Sequence, residues 1–157
     1  DVDLMGVVRD TIAEHLPQAL ERRHDLGYEG PPAEMRCIVR GDALLLREML
    51  SNLVDNALRY SPHGGAITVS ISRDAGTGSY TLAASDTGPG IPADERERVF
   101  EPFYRCADVV APGTGLGLAI VRTIALAHGA TVSLASVTDT HGLRVVFAFP
   151  GTLSLAA

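Results

Sequence analysis

Asn52-Leu53-Val54-Asp55-Asn56-Ala57-Leu58-Arg59-Tyr60-Ser61-Pro62 is the stretch on which the reading of this chain turns. Asp42 is an expected N-cap for a helix running to about residue 60, and Ser61-Pro62 followed by Gly64-Gly65 ends it. Within it Leu46, Leu50, Leu53 and Ala57 recur at helical spacing and form a core stripe. Positions 52, 56, 59 and 60 share the adjacent side, which therefore carries two amide oxygens, a guanidinium and a phenol. A hard cation bridging phosphates takes oxygen ligands, and Mg²⁺ usually takes only one or two of them from protein. A plain solvated helix face is the competing reading of the same residues.

Outward from this helix, the N-terminal side reads as a helix over 5–22, with Val8, Ile12, Leu16 and Leu20 near one face and Pro17 inside it. Residues 24–40 read as two short strands around Gly30-Pro31-Pro32. On the C-terminal side, 66–73 alternates as a strand, Asp74 to Gly78 is a turn, and 79–85 is the returning strand. A short helix entered at Pro92 is expected over 91–100, a loop over 104–114, and an apolar helix over 116–128 capped by Gly129. Strands over 131–136 and 143–149 close the chain, and its ends at 1–3 and 151–157 are expected to be loose. Strands arriving mostly as hairpin pairs, with helices between them, predict an α/β two-layer sandwich. Its sheet is mixed and mainly antiparallel, covered on one face by helices. Residues 1–157 read as a single domain, without repeats or internal linkers.

Three further segments carry chemistry. In Asp86-Thr87-Gly88-Pro89-Gly90-Ile91-Pro92 a strand ends in a carboxylate, and two glycines then let backbone approach a flat ligand. A buried Asp86 can accept from an exocyclic amine; a simple Asx-capped turn is the bland alternative. In Gly113-Thr114-Gly115-Leu116-Gly117-Leu118-Ala119-Ile120-Val121 glycines lead into a helix N-terminus, where free N–H groups and the helix dipole attract phosphate. Between them, Val99-Phe100-Glu101-Pro102-Phe103-Tyr104 concentrates aromatics, either as a small hydrophobic staple or as the anchor of a mobile loop.

Composition excludes rival chemistries. There is no lysine among the 13 cations, so neither a P-loop nor a eukaryotic-type protein kinase, each of which needs a lysine on its phosphates, can be built. A net charge of −6 and the lack of a basic run argue against a nucleic-acid partner. No apolar stretch approaches the roughly 18 residues that span a bilayer, and no basic leader opens the sequence. Cys37 and Cys106 read as reduced thiols of a cytosolic setting.

Taken in order, these four segments resemble the asparagine box, first glycine box, phenylalanine box and second glycine box of bacterial sensor histidine kinases. The resemblance covers about 42–150, and four boxes in order are far more specific than any one. It implies the Bergerat sandwich, binding of ATP and Mg²⁺, and transfer of the γ-phosphoryl group to a histidine in two-component signalling. By position it implies that Asp86 accepts from the adenine amine, and that Gly88, Gly90 and Ile91 shape the adenine slot. Asn56 would hold Mg²⁺ with help from Asn52, and Arg59 and Tyr60 would sit near the phosphates; Asn52, Asn56 and Arg59 form the expected catalytic set. Thr114, Gly115, Leu116, Gly117 and Leu118 would line the phosphate cradle. Phe100 and Phe103 would open an ATP lid over about 104–114, unusual in having Arg105 as its only cation.

In that family the phosphoacceptor lies upstream in a helical dimerisation domain, within a motif like His-Glu-Leu-Arg-Thr-Pro. His15, His24, His63, His128 and His141 all lack that context and read as surface or helix-end residues. The expectation is therefore a catalytic core cut from a longer homodimeric kinase. Its partners would be the dimerisation domain and a response regulator. The domain would lie in the cytoplasm, with the full protein anchored in the bacterial inner membrane. An anti-sigma-type kinase and an ATP-hydrolysing relative of the gyrase, chaperone or mismatch-repair type stay open as alternatives.

Overall fold

Alternation along residues 66–73 decides how the sheet is faced. In the computed structural model, which describes all residues except 108–110, 139–140 and 152–157, Ala66–Arg73 is strand β4. Its Ile67, Val69 and Ile71 are buried, while Thr68, Ser70 and Ser72 between them are not. Strand β5, Tyr80–Asp86, lies antiparallel to it with Val69 opposite Ala84 and Ile67 opposite Asp86. The two-residue period therefore puts Leu82, Ala84 and Asp86 on the face that holds the core. The opposite face is polar: Arg144 reaches Ser85 Oγ at 3.1 Å and Ser70 Oγ at 3.4 Å.

Numbered in chain order, the remaining elements are β1 (Val2–Asp3), α1 (Leu4–Glu21), β2 (Asp25–Glu29), β3 (Ile38–Val39), α2 (Ala43–Tyr60), α3 (Gly117–Ala127), β6 (Thr131–Ser136) and β7 (Leu143–Ala148). The main sheet has the order β2-β4-β5-β7-β6. Its β2–β4 pair is parallel and the other three pairs are antiparallel. Helix α2 packs between α1 and α3 and against β4 and β5, giving the expected two layers. Leu46, Met49, Leu50, Leu53, Val54, Ala57 and Leu58 bury the inner face of α2 against Ile67, Val69, Leu82 and Phe147.

Several expectations are corrected. The two strands of 24–40 do not form a hairpin: β2 joins the main sheet beside β4, and β3 pairs with β1. Residues 2–3 are not loose, because Val2 pairs with Val39 and Asp3 caps α1 through Met5 N while also accepting from Cys37 N. The buried face of α1 is Leu4, Val7, Val8, Thr11, His15 and Ala19, whereas Leu16 and Leu20 are exposed. Successive four-residue steps drift by about 40° on a helix of 3.6 residues per turn, so the run 8, 12, 16, 20 leaves the core face. His15 is accordingly a buried residue, with Nδ1 at 3.0 Å from Thr11 O. Residues 91–100 form two 3₁₀ turns, Ala93–Glu95 and Arg98–Phe100, in place of one helix.

Helix α1 passes through Pro17 unbroken and ends in a Schellman pattern, with Arg23 N bonded to Leu20 O and His24 N to Ala19 O. The expected cap at Gly129 has the same form, through Gly129 N to Leu126 O and Ala130 N to Ala125 O. These ends set the lengths of the helices that flank α2.

Candidate nucleotide site

A cavity of about 300 Å³ opens between α2, the end of β5 and the start of α3. That volume is at the low end for small-molecule sites. Its lining joins Asn52, Asn56, Arg59 and Tyr60 of α2 to Asp86, Gly90 and Ile91 after β5, and to Thr114, Gly115, Leu116, Gly117 and Leu118 before and within α3. Of the residues expected from the sequence to contact nucleotide or metal, only Gly88 does not line it. Gly88 stands behind the wall, where its N–H donates to Asp86 Oδ1 at 2.8 Å and a side chain would meet the Tyr60 carbonyl.

Asp86 is 8% exposed, and burial pushes its carboxyl above the ordinary carboxylate range, against the opposing backbone hydrogen bonds from Gly88 and Leu143. Both N–H groups, Gly88 at 2.8 Å and Leu143 at 3.4 Å, point at Oδ1. Oδ2 is thereby the oxygen available to a ligand. The surrounding walls are apolar: Ala84, Ile91, Val99, Ile120, Leu143 and Val145. A flat heteroaromatic ring with one exocyclic amine matches a slab of this kind with a single carboxylate at its end.

At the other end of the cavity, α3 begins at Gly117 with no side-chain cap at Leu116. The first N–H groups of the helix are left for an anion. A Cβ at Gly117 would stand 3.0 Å from Asn56 Nδ2 and 3.2 Å from Oδ1, so α3 packs tightly on the Asn56 amide, and a larger residue there would displace that amide by a few tenths of an ångström. Gly115 has φ +75° and its carbonyl accepts from Phe103 N at 3.0 Å, which ties the two ends of the intervening loop together. This position needs glycine both for its left-handed backbone and because a Cβ would strike the Phe103 backbone at 2.8 Å.

Arg59 donates to Asp55 Oδ2 at 2.6 Å, an i,i+4 pair half-exposed at the cavity rim. Among the described residues no group of three or more His, Cys, Asp or Glu side chains comes together to cage a metal. The amides of Asn52 and Asn56 offer oxygen ligands beside the phosphate end, next to the Asp55 carboxylate that pairs with Arg59. Such a set suits Mg²⁺ only when phosphate oxygens complete the coordination, as its preference for few protein ligands requires.

Expectations around 100–114 fare unevenly. Phe103 does not staple anything: it is 73% exposed, with φ 67°. Val99 is the buried anchor, and Tyr104 lines the cavity with the Arg98 guanidinium stacked 4.4 Å from its ring centre. Arg105 donates to the Ala111 carbonyl, and the expected lid falls partly on 108–110, outside the described residues.

Sequence reading missed the contribution of the β6–β7 connection. Gly142 N donates to Gly88 O at 2.8 Å, and Leu143 N reaches Asp86, so this loop closes the ring slot from the β7 side. A Cβ on Gly142, at φ +81°, would lie 2.6 Å from the Asp86 carbonyl. A glycine immediately before a strand was the available signal, but nothing local says which turn it must touch.

Comparison with known proteins agrees with this geometry. Residues 41–153 match the family of histidine kinase-, DNA gyrase B- and HSP90-like ATPases. Among curated proteins, the sensor protein IrlS of Burkholderia pseudomallei is 44% identical over 77% of this chain and 28% of its own length. The swarming motility regulation sensor protein RssA of Serratia marcescens is 36% identical over 95% of this chain and 31% of its own. The chain thus spans less than a third of the length of these relatives. Among solved structures, the mycobacterial sensor histidine kinase MprB superposes with a TM-score of 0.81 at 31% identity, covering 96% of this chain and 97% of that one. The chain therefore belongs to the histidine kinase-, DNA gyrase B- and HSP90-like ATPase family, as the ATP-binding catalytic domain of a sensor histidine kinase.

Proposed function

We propose that this domain holds Mg·ATP in the cavity and delivers the γ-phosphoryl group to a histidine on a separate helical dimerisation domain. The single observation that carries this reading is the cavity itself. It joins a buried carboxylate, a pair of helix amides and an uncapped helix start in one space. Asp86 Oδ2 accepts from the exocyclic amine of adenine, with Gly90 and Ile91 bounding the ring. The N–H groups of Gly115, Leu116 and Gly117 receive phosphate oxygens. Asn56, with Asn52, supplies amide oxygens to the metal. When bound, Mg²⁺ spreads the charge that develops on the transferred group. Arg59 turns its guanidinium toward the same phosphates, and Tyr60 flanks them.

In the transfer the bond from the γ-phosphorus to the β–γ bridging oxygen breaks, a phosphorus–nitrogen bond forms, and ADP leaves. The full protein acts as a homodimer anchored in the bacterial inner membrane. It passes the group on to an aspartate of a response regulator. Relatives more than three times as long as the matched segment support this reading, as they have room for such further domains. Among the described residues no helix is long and apolar enough to cross a membrane.

The test uses labelled ATP. The chain alone is expected to stay unlabelled and to label an added dimerisation domain carrying the acceptor histidine. The Asn56→Ala variant is expected to lose that transfer. Stable labelling of a histidine in this chain refutes the reading.

A further inference from the structure

We propose that Glu48, which does not line the cavity, is a positioning residue that decides which end of the Asn52 amide faces the metal; this rests on the reading of Asn52 as a metal-side oxygen donor. Glu48 lies one helical turn before Asn52 on α2. Its backbone carbonyl accepts from Asn52 Nδ2 at 2.9 Å, and its side-chain Oε1 accepts from the same nitrogen at 3.2 Å.

An asparagine amide has a donor end and an acceptor end of nearly equal shape, so its partners determine which way it points. Both partners here are oxygens that only accept. The two hydrogens of Nδ2 meet two acceptors, and Oδ1 is the end left over. Asn52 therefore presents the cavity with an acceptor and no donor. An acceptor-only amide suits a cation or a water O–H and disfavours a phosphate oxygen, which itself only accepts. Flipping the amide would set Oδ1 against both Glu48 oxygens at once.

Asn56, one turn further on, lacks this constraint. Among the described residues no hydrogen bond holds its amide, which lies against Gly117 with either end similarly close. Asn56 can thus turn to suit the ligand, while Asn52 arrives already oriented. Preorganising one of two ligands lowers the ordering cost of binding. The same contact engages the exposed Glu48 carboxylate with Asn52, where it restrains the amide.

The experiment is calorimetric binding of a non-hydrolysable ATP analogue to the chain, with saturating Mg²⁺ and again with EDTA. It compares wild type, Glu48→Ala, Glu48→Gln, Asn52→Ala and the double variant Glu48→Ala/Asn52→Ala. Glu48→Ala is expected to reduce the Mg²⁺-dependent gain in affinity about twofold to tenfold, the range of one net hydrogen bond, and to leave affinity in EDTA unchanged. Glu48→Gln, whose amide oxygen can still accept from Nδ2, is expected to restore the gain. In the Asn52→Ala background Glu48→Ala is expected to add nothing, because the two residues act as one unit. Equal losses with and without Mg²⁺, a Gln variant no better than Ala, or additive losses in the double variant each overturn the proposal. If Asn52→Ala reduces the gain and Glu48→Ala does not, the role of Glu48 alone falls. If Asn52→Ala leaves the gain intact, Asn52 is not a metal ligand, and the role of Glu48 falls with it.

Discussion

Replacing Asp86 by Asn removes one charge and exchanges one oxygen for an NH₂ group, and the structure dictates which oxygen. Gly88 N–H and Leu143 N–H both donate to Oδ1, at 2.8 and 3.4 Å. In the variant the amide oxygen must stay there, since Nδ2 cannot accept. The NH₂ group then occupies the place of Oδ2 and points a donor at the adenine amine, which also donates. The hydrogen bond lost is one to an ionised acceptor, worth about 1.5–3 kcal/mol, so ATP affinity falls roughly tenfold to 150-fold. Isothermal titration of both forms measures it. Destabilisation does not account for such a loss. Burial raises the Asp86 pKa above its unfolded value, so the stability this group contributes is present below the unfolded pKa and lost as pH rises through the folded one. At neutral pH the Asn variant is therefore expected to melt at or above the wild-type temperature. Affinity within threefold of wild type, or a loss of binding that merely tracks a lowered melting temperature, refutes the reasoning.

Other outcomes follow from single residues. Asn52 stands one turn before Asn56, and an amide cannot take a proton from water, so steady-state phosphate release is expected to be slow despite competent binding. The loss of a general base costs about 10²–10⁴ in rate. Turnover near one per second, abolished by Asn56→Ala, would move the chain toward the hydrolysing relatives. Phe147 is fully buried at the centre of the core, and Phe147→Ala is expected to lower unfolding free energy by about 3–5 kcal/mol in urea titrations. Asp42 Oδ1 accepts from Leu44 N and Leu45 N at 2.9 and 3.0 Å, so Asp42→Ala is expected to cost about 1 kcal/mol in the same assay. A change below the measurement error in either variant would contradict the packing or capping described.

How much was legible depends on the range of the interaction concerned. The helix 43–60, its cap and its core stripe were readable because each signal lies within one or two turns of its target. The hairpin of β4 and β5 was readable because a short turn imposes its pairing. The parallel pairing of β2 with β4 was not, since the partners are about forty residues apart and carry no turn between them. The burial of His15 and the exposure of Leu16 on α1 were likewise beyond reach. Which side of a weakly amphipathic helix is covered depends on the helix beside it, here α2. Gly142 belongs to the same class: its value lies in meeting Gly88, a residue more than fifty positions earlier.

By itself the sequence determined the inventory of chemistry: a pair of helix amides, a strand-ending carboxylate, and glycines opening a helix, in an order that resembles one family. These are statements about side-chain chemistry and short spacing, which the chain carries whatever its fold. Only the tertiary structure decided that they share one cavity and that Asp86 offers Oδ2 and not Oδ1. Both depend on groups that arrive from other elements, such as the Leu143 N–H of β7 at Asp86. Contacts between elements are set by sheet order and helix packing, which no local pattern records.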